Sequence, residues 1–578
     1  MRKFVTVRDF KPEYFADGEY TSIRDIVIRI NKVCPKNNIF ADLDESGQIR
    51  YYTAADVHEE IMNLGDGLIA EGLLGKHMAI VSDNSVRYVL ADMTISSGAG
   101  VVTPIDKDAP DTLMETLFKK ADIDVVFCGA KYVRKVARIA ENCPLIGTII
   151  TMDKPVEGYR CWDELVAEGA ALKDRSVFRT LEMDLDAPAK ILFTSGTTGA
   201  NKGVVLTSRN LAANAVNCLD VVKSVEGALN TSMSVLPMHH ATEINTHIMA
   251  RVASGDVTYI NDSIRTMMTN IKIFKPGIIT IVPMIANAFY KTIWANAEKA
   301  GKADKLRKGI KLSNLLRKFG IDITHKMFTD IYEAFGGNLY QIVCGGSMLN
   351  PVVVKGLNDI GIMMMNGYGI TECGPLISMN ADTLDEHLSV GKACPGLDAK
   401  IANPGEDGVG ELCIRGASVS KGYYNDPEAT AKAFAPDGFF NTGDSARIDS
   451  KGRIFLMGRK KNTIVLPSGK NICPEEVENV VETGIPYADE VVVYQAAFEQ
   501  GGNSSDAIVC GLYIKDEEAR KDRAAIEADI QKVNALLPSY KRIEYVEVPD
   551  TEYEKTSTKK IRRACLPAKC SGEGIKIL

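Results

Sequence analysis

KILFTSGTTGANKGVVL, residues 190–206, sets two apolar runs on either side of a loop built from Thr, Ser and Gly. Glycines such as Gly196 and Gly199 let backbone N–H groups come close to a phosphate, and the hydroxyls of Thr194, Ser195, Thr197 and Thr198 add donors. Lys202 adds a positive charge. A polar hairpin turn is the plain alternative, but the full run TSGTTG followed by Lys202 favours a phosphate loop. A Walker A loop needs Gly-Lys-Ser/Thr opening a helix. Here Lys202 follows Asn201 and precedes Gly203 and a β-like Val-Val-Leu, so this is a phosphate loop of another kind.

On both sides of the loop, from about residue 50 to 460, short apolar runs alternate with longer amphipathic segments. The runs include MAIVS (78–82), DVVFCG (124–129), TIITM (148–152), GIITIVP (277–283) and YQIVCGG (340–346). This alternation predicts an α/β fold: a buried, largely parallel sheet with helices on its faces. The character changes near residue 459, where GRKKNTIVLPSGKN gathers charge, Pro467 and Gly469 as a linker or turn would. Beyond it come VVVYQ (491–495), AIVCGLYI (507–514), a charged helical segment (516–536) and YVEVP (545–549). The expectation is a large N-terminal domain over 1–460 and a small α+β domain over 461–578, of about the minimum size for its own core.

The 578 residues are too many for one ordinary core, and 45% hydrophobic with 25% charged residues is the balance of a globular protein. A net charge of -7 gives no global electrostatic reason to bind nucleic acid. The opening MRKFVTVRDFKPEYF lacks the apolar segment of a secretory signal, and no stretch reaches the length of a membrane span. Thirteen cysteines without CxxC pairs suit reduced thiols, and HExxH is absent. The expected location is cytoplasmic.

TSGTTGANKG resembles the phosphate loop of the AMP-forming acyl-CoA synthetase superfamily, the adenylate-forming enzymes. That family usually has Pro where Asn201 stands. Other stretches resemble its motifs in the same order: Tyr52-Thr53, SSGAGVVTPID (96–106), LPMHH (236–240), CGGS (344–347), NGYGITE (366–372), GELCIRG (410–416), KGYYNDPEAT (421–430), GFFNTGD (438–444), GRKKNTIVLPSGKNICPEEVE (458–478) and KTSTKKIRR (555–563). The resemblance covers nearly the whole chain. It implies stacked mixed and parallel sheets with helices in the large domain, and a mobile C-terminal lid.

What the resemblance implies for single residues has a chemical sense in each case. Thr194–Gly199 and Lys202 would hold ATP phosphates, with Thr197 and Glu372 as Mg2+ ligands beside phosphate oxygens and water. Gly345, Gly346, Ser347, Gly367, Tyr368, Gly369 and Thr371 would line the adenine side, with Tyr368 stacking on the base. Asp444, following a glycine, would accept both ribose hydroxyls, and Arg459 would reach ribose or phosphate. His240 would lie beside the acyl group. Lys461 takes the hinge position, and Gly469 lies where the family lets pantetheine pass close to backbone. Lys555, Lys559 and Lys560 are all candidates for the catalytic amine. The family's Gly-Lys-Ile pattern selects Lys560, although Lys559 replaces the usual glycine. The cofactors implied are ATP, Mg2+ and, as co-substrate, CoA.

The acid is less legible. The forms of the hinge and lysine motifs and MHHATE (238–243) look most like bacterial long-chain fatty acyl-CoA synthetases. Segment 298–320 resembles that subgroup's extra helical region, with Leu312, Leu315, Leu316 and Phe319 at i, i+3, i+4 and i+7 and Gly320 as a stop. Such a basic amphipathic helix either packs its stripe on its own domain or touches an anionic membrane at the inner face. Loading of an acyl carrier protein, an aryl or branched-acid substrate, and a non-catalytic nucleotide-binding role remain the alternatives. No GxSxG elbow suggests a hydrolase.

Overall fold

The computed structural model describes residues 4–172, 174, 177–195, 201–225, 230–380, 389–466, 470–500, 503–555 and 561–578. The chain divides into two compact units. One comprises Met1–Ser347, Val354–Ala399 and Ile414–Asn441, the other Met348–Val353, Lys400–Cys413 and Thr442–Leu578.

In the larger unit the apolar runs become buried strands. Lys76–Val81, Val125–Cys128 and Thr148–Thr151 lie parallel to one another, with Gly100–Pro104 on the other side of Lys76–Val81. Pro188–Ser195 adds in parallel to Gly100–Pro104, and Asn201–Thr207 closes that edge antiparallel to it. Successive side chains of a strand point to opposite faces. Met78, Ile80, Val125 and Phe127 enter a core with Ile26, Ile61, Leu64 and Leu90, whereas Ala79, Val81, Val126 and Cys128 enter another with Met114, Phe118 and Val136. Both faces are covered by helices, which is why these strands read as continuous apolar runs rather than alternating ones.

A second sheet runs in the order Lys392–Ala393, Leu376–Asn380, Met363–Gly369, Gln341–Cys344, Ile278–Ile281, Thr231–Ser234, Val257–Ile260, Asn38–Leu43 and Ile49–Thr53. Its middle is parallel and its edges antiparallel. Helices Ile23–Val33, Ala54–Ala70, Val86–Thr94 and Ser208–Val221 supply apolar faces to the first core, which also takes Ile39, Phe40 and Ile260 from this second sheet. Helix starts are locally encoded: Thr53 and Asp56 form a capping box, Ser85 caps Val86–Thr94, and Thr207 with Asn210 caps Ser208–Val221.

In the smaller unit, Glu490–Gln500 pairs antiparallel with Asn503–Tyr513, which pairs in parallel with Tyr545–Glu547. Helices Pro474–Gly484 and Arg523–Leu536 cover the sheet through Val477, Val481, Ile526, Ile530 and Val533. The thirteen cysteines form no disulfide. Among the described residues, no helix is long and apolar enough to cross a membrane.

Candidate active site

The sequence places the phosphate loop between two strands, and the structure sets those strands side by side. Pro188–Ser195 and Asn201–Thr207 form an antiparallel hairpin in which Thr194 faces Lys202 and Ser195 faces Asn201. Gly196, Thr197, Thr198 and Gly199 lie outside the described residues.

The outer strand of this hairpin is stitched to residues 420–424. Val205 N–H donates to the Gly422 carbonyl at 3.0 Å, Lys421 N–H to the Val205 carbonyl at 3.2 Å, and Tyr424 N–H to the Gly203 carbonyl at 2.7 Å. Val204 and Tyr423 form an antiparallel bridge. Behind the hairpin, Asn210 Nδ2 donates to the carbonyls of Ala417 at 2.7 Å and Val419 at 2.9 Å. The capping residue of the following helix thereby fixes the approach of the 420–424 segment.

That segment also carries the link to Glu372. Tyr423 Oη donates to Glu372 Oε1 at 2.9 Å, and Ser420 N–H donates to the Glu372 carbonyl at 2.8 Å. Lys202 Nζ lies 4.7 Å from the centroid of the Tyr423 ring, within cation–π range. A cation from the hairpin and a carboxylate from the 366–372 stretch thus meet on two sides of one tyrosine. Burial, then the Glu372 charge, pushes the Tyr423 hydroxyl far above its ordinary pKa, so it stays a donor.

Parallel pairing brings the two glycine-rich stretches together. Cys344 is in register with Asn366, so Gly345, Gly346 and Ser347 leave the sheet beside Gly367, Tyr368 and Gly369. Carboxyl ends of parallel strands are where open α/β sheets bind ligands. The approach is close: a Cβ on Gly345 would lie 2.9 Å from the Gly367 carbonyl oxygen, and one on Gly369 would lie 2.3 Å from that of Pro375. Tyr368 is buried in its strand, and Thr371, Glu372 and Cys373 form a single 3-10 turn after it.

The donor set suits magnesium held jointly with a nucleotide. Mg2+ takes one or two carboxylates plus phosphate oxygens and water. Glu372 offers such a carboxylate, and among the described residues no group of three His, Cys, Asp or Glu could hold a metal alone.

Two other motifs meet in the larger unit. His239 Nε2 lies 3.8 Å from Asp106 Oδ2, so the 236–240 and 96–106 stretches sit side by side without a hydrogen bond between these two groups. The His239 and His240 rings are 4.2 Å apart between centroids. Burial, with Lys107 nearby, pulls His239 down to about 4, so it is neutral at ordinary pH. Below them Glu243 Oε1 and His247 Nδ1 are 3.0 Å apart and buried.

In the smaller unit Asp444 and Arg459 are cross-strand partners between Phe440–Ile448 and Ile454–Arg459. Arg459 Nε sits 2.8 Å from Asp444 Oδ1, with the carboxylate largely buried and the guanidinium half-exposed. Lys461 follows two residues later, and burial, with Arg459 and Arg563 adding, lowers its pKa. Gly469 lies outside the described residues.

Lys559 and Lys560 also lie outside them, but the chain on either side is tied down. Lys555 and Ile561 form an antiparallel bridge. Lys555 pairs with Glu490 and, at 2.6 Å, with Glu552. Arg562 pairs with Glu554 at 2.8 Å. Arg563 Nη2 donates to both carboxylate oxygens of Glu478, at 2.6 and 2.8 Å, and its Nη1 donates to the Val493 carbonyl at 2.7 Å. Burial, opposed by Arg563, holds Glu478 up at about 7.

Two features were missed by motif reading. Tyr423 sits inside KGYYNDPEAT, whose resemblance marks the stretch but assigns no side chain a role. Lys190 opens the apolar run KILF, and is fully buried, 2.7 Å from Asp92 Oδ1 and 2.8 Å from Asn245 Oδ1. Its signal is a lone charge in a buried-strand pattern.

The family model described as AMP-binding enzyme matches residues 31–424. The chain belongs to that family, the adenylate-forming ligases that use ATP and Mg2+ and join an acid to a thiol such as that of CoA. It is similar to the long-chain-fatty-acid–CoA ligase FadD15 of Mycobacterium bovis, 24% identical over 596 residues, covering 97% of this chain and 98% of that protein. It is also similar to the chloroplastic long-chain-fatty-acid–[acyl-carrier-protein] ligase AEE15 of Arabidopsis thaliana, 27% identical over 504 residues, covering 74% of this chain and 68% of that protein. Among solved structures, the anthranilate CoA ligase AuaEII in complex with anthranoyl-AMP shares the fold, with a TM-score of 0.75, 18% identity, and coverage of 94% of this chain and 96% of that one.

Proposed function

We propose that this enzyme activates a medium- or long-chain fatty acid as its acyl-adenylate and transfers the acyl group to the thiol of CoA. The convergence of Lys202, Tyr423 and Glu372 beside the Thr194 hairpin carries the nucleotide half of this reading. The names of the similar ligases support the fatty acid.

A carboxylate is a weak nucleophile and the α-phosphate of ATP is anionic, so catalysis is mostly charge neutralisation and alignment. Thr194–Gly199 and Lys202 hold the phosphates, while Gly345–Ser347, Gly367–Gly369 and Thr371 take the adenine side. Asp444 accepts ribose hydroxyls and Arg459 orients it through their ion pair. Glu372, steadied by Tyr423, and Thr197 would hold Mg2+, which would supply positive charge to offset that of the phosphates. Lys560 aligns the substrate carboxylate with the α-phosphate. The acid oxygen bonds to that phosphorus, the bond to the β-phosphate oxygen breaks, and pyrophosphate leaves. In the second half-reaction the thiol attacks the acyl-AMP carbonyl, loses its proton and displaces AMP. His240 borders the acyl group, Gly469 the pantetheine, and Lys461 is the hinge between the two half-reactions.

Lys555 is already engaged by Glu490 and Glu552, which leaves Lys559 and Lys560 as the candidate amines, and the family's Lys-Ile pattern favours Lys560. Lys560→Ala should abolish acid-dependent ATP–pyrophosphate exchange while sparing thioester formation from supplied acyl-AMP; exchange that survives would refute the assignment. Pyrophosphate release measured over acids of increasing chain length, with and without CoA, tests the substrate. Product formed only with an acyl carrier protein would favour the carrier-loading reading.

A further inference from the structure

An amide side chain ties together the carboxyl ends of the two sheets of the larger unit. Asn84 stands between the strand Lys76–Val81 of the first sheet and the helix Val86–Thr94, where Ser85 Oγ caps the helix by accepting from Tyr88 N–H at 3.1 Å. Asn84 Nδ2 donates to the Leu236 carbonyl at 2.9 Å and to the Asn261 carbonyl at 3.4 Å, and its Oδ1 accepts from Met238 N–H at 3.0 Å. Leu236 and Asn261 follow Thr231–Ser234 and Val257–Ile260, which are parallel neighbours in the second sheet. The tie lies where open α/β sheets bind ligands, beyond the carboxyl ends of their strands.

What it holds is the 236–240 turn. Pro237 has no N–H to donate, so the turn has to be fixed through the amides on either side of it. Asn84 takes the carbonyl of Leu236 and the N–H of Met238. Glu243, fully buried, takes the other backbone group of Leu236: its Oε2 accepts that N–H at 3.3 Å, while its Oε1 lies 3.0 Å from His247 Nδ1. Leu236 is thus held at both its N–H and its carbonyl by side chains. The turn closes with His240 N–H on the Pro237 carbonyl at 3.1 Å and Glu243 N–H on the His240 carbonyl at 3.1 Å. The backbone of His240 is therefore set from one side by Asn84 and from the other by Glu243. The tie needs a donor and an acceptor on one short side chain, which Asn supplies; Asp lacks the donor and Ala lacks both.

We propose that Asn84 is a positioning residue for the acid substrate, acting through the 236–240 turn to hold His240 against the acyl group. This role rests on the placement of His240 beside the acyl group. All three side-chain bonds of Asn84 cross from its own sheet to loops of the other, which is what a support for a site between strand ends has to do. A shift of about 1 Å in a positioned group can cost about a hundredfold in rate, so the tie has leverage on turnover without touching the substrate.

ATP–pyrophosphate exchange by the full-length protein, with dodecanoate as the acid, separates positioning from folding. A smaller folded fraction lowers kcat and leaves both KM values unchanged, whereas a displaced turn raises KM for the acid alone. Asn84→Ala should raise KM for dodecanoate about tenfold and leave KM for ATP within about twofold of the parent. His240→Ala should also raise KM for dodecanoate, and adding Asn84→Ala to it should change that KM by less than about twofold, because both substitutions remove one contact. Should Asn84→Ala fail to fold, Asn84→Asp keeps the acceptor for Met238 N–H, loses the donor and should show the same split between the two KM values. A raised KM for the acid in His240→Ala, beside Asn84 variants that leave it unchanged or raise both KM values together, would overturn the role of Asn84 alone. Fully multiplicative effects in the double variant would overturn it too. Parent-like kinetics in His240→Ala would overturn the placement of His240, and the role of Asn84 with it.

Discussion

Replacing Lys190 with Met is the sharpest test of how the Pro188–Thr207 hairpin is held. The ammonium is fully buried, as is Asp92, and their atoms are 2.7 Å apart. Asn245 completes the cluster: its Oδ1 accepts from Lys190 at 2.8 Å, and its Nδ2 donates to the Gly374 carbonyl at 3.4 Å. Lys190 lies four residues before Thr194 on the same strand, and Gly374 lies two residues after Glu372, so one buried cation ties the roots of both halves of the site. Removing one partner of a buried ion pair costs about 3–5 kcal/mol, because the other is left buried and uncompensated. Both tryptophans, Trp162 and Trp294, belong to the larger unit, so fluorescence during urea unfolding follows that unit. With a slope of about 3 kcal/mol per molar urea, the midpoint should fall by on the order of 1 M.

Burial raises Asp92 and lowers Lys190, each opposed by the other. Without the lysine, the folded state must protonate Asp92 at pH values where the unfolded chain does not. The folded protein then binds the extra proton, so the deficit of Lys190→Met should grow as pH rises above the ordinary carboxylate range and shrink toward acid. Adding Asp92→Leu removes the orphaned charge and should recover most of the loss, since a well-packed apolar replacement of a buried pair is often neutral. A Lys190→Met protein as stable as the parent, or a double variant worse than the two singles combined, would refute the reasoning.

Tyr423→Phe removes a hydrogen bond to a carboxylate, which costs the fold at most about 1.5–3 kcal/mol, and should lower kcat/KM for ATP by about tenfold or more in protein that thermal melting shows to be still folded, as steady-state kinetics would check. Lys461→Pro should slow thioester formation from supplied acyl-AMP more than it slows pyrophosphate exchange; equal loss of both would remove the hinge assignment. Glu478, held near 7 against about 4.5 when unfolded, binds its proton more tightly in the folded state, so the stability it contributes at acid pH is lost between about pH 4.5 and 7. Hydrogen exchange over Glu490–Gln500 and Asn503–Tyr513, corrected for intrinsic rates, should show weaker protection at pH 8 than at pH 5, and Glu478→Gln should flatten that trend.

The features that were legible in sequence share one physical cause, as do those that were not. MAIVS, DVVFCG, TIITM, GIITIVP and YQIVCGG all became parallel strands, because a strand covered on both faces must be apolar at every position and leaves a run no helix period imitates. The glycines of CGGS and NGYG were legible because a close backbone-to-backbone approach leaves no room for a Cβ, as at Gly345 against Gly367. What failed to show was direction. The period of Leu312, Leu315, Leu316 and Phe319 was visible, but only Leu316 among them turns partly inward, because Ser313 and Gly309 are small enough to let the helix seat on the opposite side. A small residue can be buried as readily as a large one, so apolar character alone does not say which face wins. The same holds for Lys190. A charge in a core strand is tolerable only with a partner, and Asp92 stands 98 positions away, where no local pattern points to it. Periodicity reports what a segment could bury, and only the third dimension supplies the partner that decides whether it does.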